Sequence, residues 1–217
     1  MKKIILNLLF AVVALGTTAQ INVWDSGKPS RSVTFGARLG VDVGNLNVDG
    51  FDTKAGVFGG LAAEINIVNS FSVNSGLFFS QKGCRINESA YDEDFGDAGV
   101  KARVTANFIE LPVYASYRLH INPANMIQVY LGPYFDFGIY GKATAEVNVG
   151  GEKIKLSEGI FNGDNGFRRF QAGLAIGAAY TWRQFSLGIC FQGGLTDVAK
   201  DVDAEWNTFN ISLGYNF

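Results

Sequence analysis

Phe209-Asn210-Ile211-Ser212-Leu213-Gly214-Tyr215-Asn216-Phe217, the stretch on which the sequence ends, alternates large apolar residues with small or polar ones. A period of two is the repeat of an extended strand, whose successive side chains point to opposite faces. One face of this segment suits an apolar medium and the other does not. Seven further stretches upstream carry the same alternation, so the chain is expected to be all-β.

Composition says which apolar medium. The 217 residues are 47% hydrophobic and 13% aromatic with only 18% charged, and 27 glycines stand against 4 prolines. Beyond the N-terminus no run of about 18 apolar residues exists to form a transmembrane helix. A closed β-barrel reconciles the two facts, because alternation hides its apolar surface from hydropathy while closure satisfies every backbone group in lipid. The N-terminus itself reads as a secretory signal: Lys2 and Lys3, an apolar run from Ile4 to Leu15, then Gly16-Thr17-Thr18-Ala19. Cleavage after Ala19 is expected, followed by a periplasmic segment over 20–31 and a barrel over 32–217. The remaining chain carries 16 basic and 20 acidic side chains, a net charge of -4 that argues against nucleic-acid binding.

Charged residues then set the register. Val33, Phe35, Ala37, Leu39, Val41 and Val43 alternate with Thr34, Gly36, Arg38, Gly40 and Asp42. Placing Arg38 and Asp42 in lipid would cost several kcal/mol near the midplane, so they are expected to face the lumen. The same rule turns Glu64, Lys82, Glu110, Arg118, Asp136 and Arg169 inward on the later strands. Ala102, Val104 and Ala106 have the opposite parity to Ile109, Leu111 and Val113, which predicts a bulge near Asn107.

Connections alternate in length. Short ones are expected near Asn69-Ser70, from His120 to Asn125 and at Arg183; longer ones occupy roughly 44–54, 83–100, 141–166 and 196–206. Short turns on the periplasmic side and long loops outside are the habit of bacterial outer-membrane barrels, which puts both mature termini in the periplasm. Phe71, Tyr117, Tyr180, Trp182, Phe185, Tyr215 and Phe217 cluster at the short-turn end as an interfacial girdle. Within 141–166, Ala143, Ala145, Val147 and Val149 prolong the outward parity of the fifth strand up to Gly150-Gly151, after which Ile154 and Leu156 alternate back. That pattern predicts a hairpin projecting past the membrane; a ten-stranded barrel that absorbs it is the alternative, opposed by Glu146, Glu152, Lys153 and Lys155.

The order and spacing of four segments resemble the PorT family of small outer-membrane barrels, common in Bacteroidetes and similar in architecture to OmpX and the OmpA membrane domain. These are Gly76-Leu77-Phe78-Phe79-Ser80-Gln81-Lys82-Gly83, Phe108-Ile109-Glu110-Leu111-Pro112, Gly132-Pro133-Tyr134 and Gly214-Tyr215-Asn216-Phe217. The resemblance spans the mature chain and implies an eight-stranded antiparallel barrel in the outer membrane of a Gram-negative bacterium. It implies no activity.

Candidate chemistry is sparse. The single histidine, His120, falls in a short turn without a nucleophile partner, so no catalytic residue is expected. The acidic run Asp92-Glu93-Asp94-Phe95-Gly96-Asp97 lacks the ordered spacing of a calcium loop and reads as solvated surface. No metal or cofactor site is expected. Cys84 and Cys190 share inward parity but lie on opposite walls, which predicts two separate thiols.

The site that does emerge is the lumen. Arg38, Asp42, Glu64, Lys82, Glu110, Arg118, Asp136 and Arg169 mix four cations with four anions, and an eight-stranded barrel is just wide enough for side chains to fill. The expectation is a salt-bridged lumen with Tyr114, Tyr130 and Tyr134 as filler. The role that follows is structural or surface-interacting. Its partners would be outer-membrane lipids, lipopolysaccharide, the barrel-assembly machinery through the strand ending at Phe217, and an extracellular or envelope protein. A narrow channel or transporter for small solutes and an accessory subunit of a secretion machine are the competing readings.

Overall fold

The computed structural model describes residues 24–46, 52–92, 96–149, 152–161, 166–199 and 204–217. The signal-peptide expectation for 1–19 lies outside them. Nine strands follow in order: β1 (Val33–Leu46), β2 (Asp52–Val68), β3 (Phe71–Asp92), β4 (Gly96–Asn122), β5 (Asn125–Val149), β6 (Glu152–Gly159), β7 (Phe170–Trp182), β8 (Phe185–Gly194) and β9 (Trp206–Asn216).

Eight of them close into an antiparallel barrel. The last strand pairs with the first through Ala37 opposite Tyr215 and Val41 opposite Ile211, so closure uses the segment on which the sequence ends. The free edge of β5 is divided: Asn125 to Phe137 pairs with β7, and Lys142 to Val149 pairs with β6. β6 therefore extends the wall above β7 without becoming a stave, and the ten-stranded alternative does not hold.

The outer face carries the expected series. Leu39, Leu61, Leu131, Ile176, Ile189 and Leu213 are all exposed around the wall, as lipid-facing residues must be. Among the described residues no helix is long and apolar enough to cross a membrane. Trp182, Phe185 and Phe217 are exposed at the short-turn end, and Tyr215 packs edge-on against both Phe185 and Phe217.

Three expectations are corrected. First, 83–100 is not a loop: β3 and β4 stay paired from Gly83 opposite Thr105 up to Asp92 opposite Gly96. The side chains of the acidic run lie outside the described residues. Second, β4 does not change parity. Ala106 and Phe108 are fully buried on the same face as Glu110, and the register slip opposite Asn107 inserts its extra residue on β5, at Ile139. Ile139 and Tyr140 are consequently both exposed, and beyond them Gly141 and Ala143 turn inward, contrary to the outward reading of Ala143 and Ala145. The physical reason is a change of solvent. Above the lipid belt the outer face meets water and the inner face becomes a core, so apolar residues belong inside. Third, His120 belongs to the last turn-ward residues of β4, opposite Met126, and the connection shrinks to Pro123-Ala124.

The segment before β1 is anchored under the β2–β3 turn. Asp25 N–H donates to Ser70 Oγ (2.8 Å), and the Asp25 carboxylate accepts from Gly27 N–H (2.8 Å) and Asn69 Nδ2 (2.9 Å). These donors, the backbone N–H of Gly27 first, hold the Asp25 carboxyl below the usual carboxylate range. Trp24 stacks on Tyr117 at 6.3 Å.

Candidate functional site: a layered lumen

Inward parity delivers the polar side chains to the axis, and strand stagger sorts them into tiers. At the short-turn end Glu64 on β2 is the hub. Its Oε1 accepts from Ser72 Oγ (2.5 Å), Gln128 Nε2 (2.9 Å) and Arg118 Nη1 (3.2 Å). Arg118 reaches on to Asn66 Oδ1 and to the carbonyl of Val68 (2.6 Å), so one guanidinium ties β4 to the end of β2.

Aromatic rings occupy the middle. Tyr114 and Tyr130 stack at 5.3 Å and Phe58 and Phe78 at 4.9 Å. Space for them comes from glycine on the facing strands: a Cβ at Gly177 would fall 2.5 Å from the Tyr130 ring, and one at Gly173 would fall 2.5 Å from the Tyr134 hydroxyl. The inward small residues of β7 are thus the complement of two tyrosines on β5.

Lys82 anchors the next tier. Its ammonium donates to Asp136 Oδ2 (2.7 Å) and Gln192 Oε1 (3.1 Å), lies 3.8 Å from Glu110 Oε2, and sits over the Tyr134 ring at 4.6 Å. Gln192 Nε2 in turn donates to Glu110 Oε1 (2.8 Å). Asp42, in the same tier, accepts from Ser80 Oγ and Asn210 Nδ2, both at 2.7 Å. Lys82, Asp42, Glu110 and Asp136 are each at most 2% exposed, which for ions demands this degree of pairing.

Above the charges lies an apolar cap. Phe108, Trp206, Cys84 and Ala106 are at most 1% exposed and pack with Leu46, Ile160, Val198 and Ala204. Cys84 belongs to this cap and Cys190 to the aromatic tier beneath, both as free thiols.

Of the eight charged residues singled out in the sequence, four meet around Lys82 and two around Glu64. Arg38 and Arg169 join neither group. Arg38 donates to the carbonyl of Ala37 (3.0 Å) and to Asn216 Oδ1 (2.7 Å). Arg169 precedes β7, is exposed, donates to the carbonyl of Gly138 (3.1 Å) and lies over the Phe161 ring at 5.4 Å. It lies outside the buried tiers, just before β7 begins at Phe170. The amides Gln128, Gln192 and Asn210 escaped notice as network members, although their inward parity was the available signal. Among the described residues no cluster of His, Cys, Asp and Glu could hold a metal ion.

Residues 18–200 match the family model described as the outer membrane protein beta-barrel domain. Among curated proteins no relative is found. Solved structures that resemble this chain include Ail, the attachment invasion locus protein of Yersinia pestis, at 16% identity, with 86% of this chain and 100% of that one covered and a TM-score of 0.39. Neisserial surface protein A shares 11% identity over 86% and 98% of the two chains, with a TM-score of 0.38. The outer membrane protein OprG of Pseudomonas aeruginosa shares 12% over 89% and 99%, with a TM-score of 0.41. At these scores the resemblances carry no argument about role.

Proposed function

The chain belongs to the outer membrane protein beta-barrel domain family and is a small outer-membrane barrel of Gram-negative type, and from this we propose a structural or surface-interacting protein rather than a channel. Barrels of this family are typically not enzymes. The observation that carries the reading is the double closure of the upper lumen, in which a buried ion cluster around Lys82 lies directly beneath the cap of Phe108 and Trp206. A hydrated ion has no path through a layer of that kind.

The short turns and both termini face the periplasm on this reading, and the extended β3–β4 and β5–β6 strands face outward. Their unequal length supports it: β4 has 27 residues where β8 has 10, and only about 9 to 11 are needed to span a bilayer. The partners we propose are lipids and lipopolysaccharide around the wall, the assembly machinery reading the strand that ends at Phe217, and an extracellular or envelope protein at the long strands. The closer affiliation with the PorT group rests on the four segments described in the sequence and remains part of the proposal.

Planar-bilayer conductance tests it. The wild-type protein should show no steady open state, whereas a stable conductance would return the reading to transport. Labelling of intact cells at a cysteine placed in β6 tests the orientation, since label must reach it from outside.

A further inference from the structure

Below the ion cluster the lumen is not full. A cavity of about 110 Å³ lies between the two aromatic stacks, with Glu110 and Gln192 at one end and Arg38 on its wall. A second, of about 340 Å³, opens among the short turns beside Arg31, Arg118, His120 and Arg183. The two share Thr34, Glu64, Met126, Thr181 and Asn216 as walls. One passage therefore leads in from the short-turn end, reaches the aromatic tier and stops under Lys82.

Its chemistry is selective. Four arginines line the passage, Arg31, Arg38, Arg118 and Arg183. Against them stand Glu64, already bonded to Arg118, Glu110, which lies beside Lys82, and the main-chain oxygen of Phe217, which accepts from Arg31 Nη1 (2.5 Å). A low-dielectric cleft with that imbalance draws anions. Arg38 forms no ion pair among the described residues; its contacts, to two carbonyls and one amide oxygen, engage both Nη1 hydrogens and one on Nη2. A guanidinium has five N–H groups, so Nε–H and one Nη2–H are left. The Phe78 ring is two strands away, across Gly60, which pairs with Arg38 on one side and Phe78 on the other.

We propose that this blind passage is a binding chamber for a small aromatic carboxylate, its ring between the Phe58–Phe78 and Tyr114–Tyr130 stacks and its carboxylate on Arg38. The size suffices once the mouth is included: an enclosed apolar cavity of roughly 150 Å³ accepts a benzene ring, and the 110 Å³ chamber is continuous with the 340 Å³ mouth, toward which the carboxylate extends. Pockets with largely apolar walls and a few placed polar groups are the common form of small-ligand sites; here those groups are Arg38, Glu64 bonded to Arg118, and Glu110 beside Lys82. The chamber opens at the end opposite the long strands, so it is independent of the surface role proposed above.

The test uses the full mature chain in lipid nanodiscs and 4-fluorobenzoate followed by ¹⁹F NMR. Saturable broadening beyond that of empty nanodiscs is expected, at least ten-fold weaker in Arg38→Gln and at least ten-fold weaker for 4-fluorobenzylamine on the wild type. Neutral 4-fluorobenzyl alcohol should bind wild type and Arg38→Gln alike. Ala179→Phe, which fills the chamber from β7, should abolish binding of both the acid and the alcohol. Folding of each variant is read from its heat-modifiable mobility on gels, and if Arg38→Gln does not fold, the amine and Ala179→Phe decide. The proposal is overturned if the acid behaves as it does with empty nanodiscs, if the amine binds as well, if Arg38→Gln keeps wild-type affinity, or if Ala179→Phe still binds.

Discussion

Lys82 is the residue on which the interior most depends. Glu110 and Asp136 are directly opposite each other on β4 and β5, an arrangement that opposes like charges. The ammonium from β3 contacts both carboxylates, and Asp42 adds a third carboxyl to the tier. Lys82→Met should therefore destabilise the barrel by about 3 to 5 kcal/mol, because it leaves buried carboxylates without a cation. Urea unfolding in lipid vesicles measures this, and adding Glu110→Gln with Asp136→Asn should recover a substantial part of the loss. An unchanged midpoint for Lys82→Met would mean that the tier is hydrated. Parity was enough to place Lys82, Glu110 and Asp136 in the lumen. Their pairing was not legible, since Lys82 passes over a whole strand to reach Asp136, and that depends on barrel stagger. Arg38 and Arg169 show the same limit: inward parity and charge were read correctly as polar, but partners are set by height along the axis.

At the scale of the element, β4 and β5 reveal where the membrane ends. On β4 the outward residues change from Ile109 to Asn107, and on β1 from Val43 to Asn45. Gln81 Nε2 donates to Asn107 Oδ1 (2.9 Å) and Asn107 Nδ2 to the carbonyl of Tyr140 (3.0 Å), a polar clasp on the outer face just above the belt. Taken as a strand in one solvent, Ala102-Val104-Ala106 looks out of phase; taken as a strand crossing from lipid to water, it is in phase throughout. Above this line β6 pairs, among the described residues, with β5 alone, and Lys155 and Glu146 are paired at 3.1 Å in the open, a geometry of little energetic weight. Thr144 stands opposite Ser157, so residues 145–156 can be replaced by an Asn-Gly turn. The shortened protein should keep its heat-modifiable fold and an unfolding free energy within about 1 kcal/mol of wild type, as expected of a change at the far end of the β4–β5–β6 ribbon, away from the barrel wall. A larger loss would make the ribbon part of the barrel's core.

For the whole molecule, the wall is a lipid-solvated surface and can be tested as one. Leu39 is 72% exposed and faces Leu213 across the β1–β9 seam. Leu39→Arg should cost about 2 to 4 kcal/mol in a bilayer, the range for a cation near the midplane, whereas Asn207→Arg above the belt should cost about 0 to 1. Equal costs at the two positions would contradict the placement of the belt.

What the sequence determined by itself, within the lipid belt, was which side of a strand a residue occupies; above the belt, at Ala106 and Ala143, it did not. Alternation at a period of two, checked by the charges of Arg38 and Asp42, decided strand identity, the lipid face, the lumen face and the closing role of Phe209 to Phe217. Only the tertiary structure decided what depends on height: the separation of the lumen into an arginine–glutamate tier, an aromatic chamber, a lysine cluster and an apolar cap, and the point at which lipid gives way to water. Side-chain direction is a local property of each residue, but level along the axis is fixed by the stagger of eight strands at once, and no single segment carries that information.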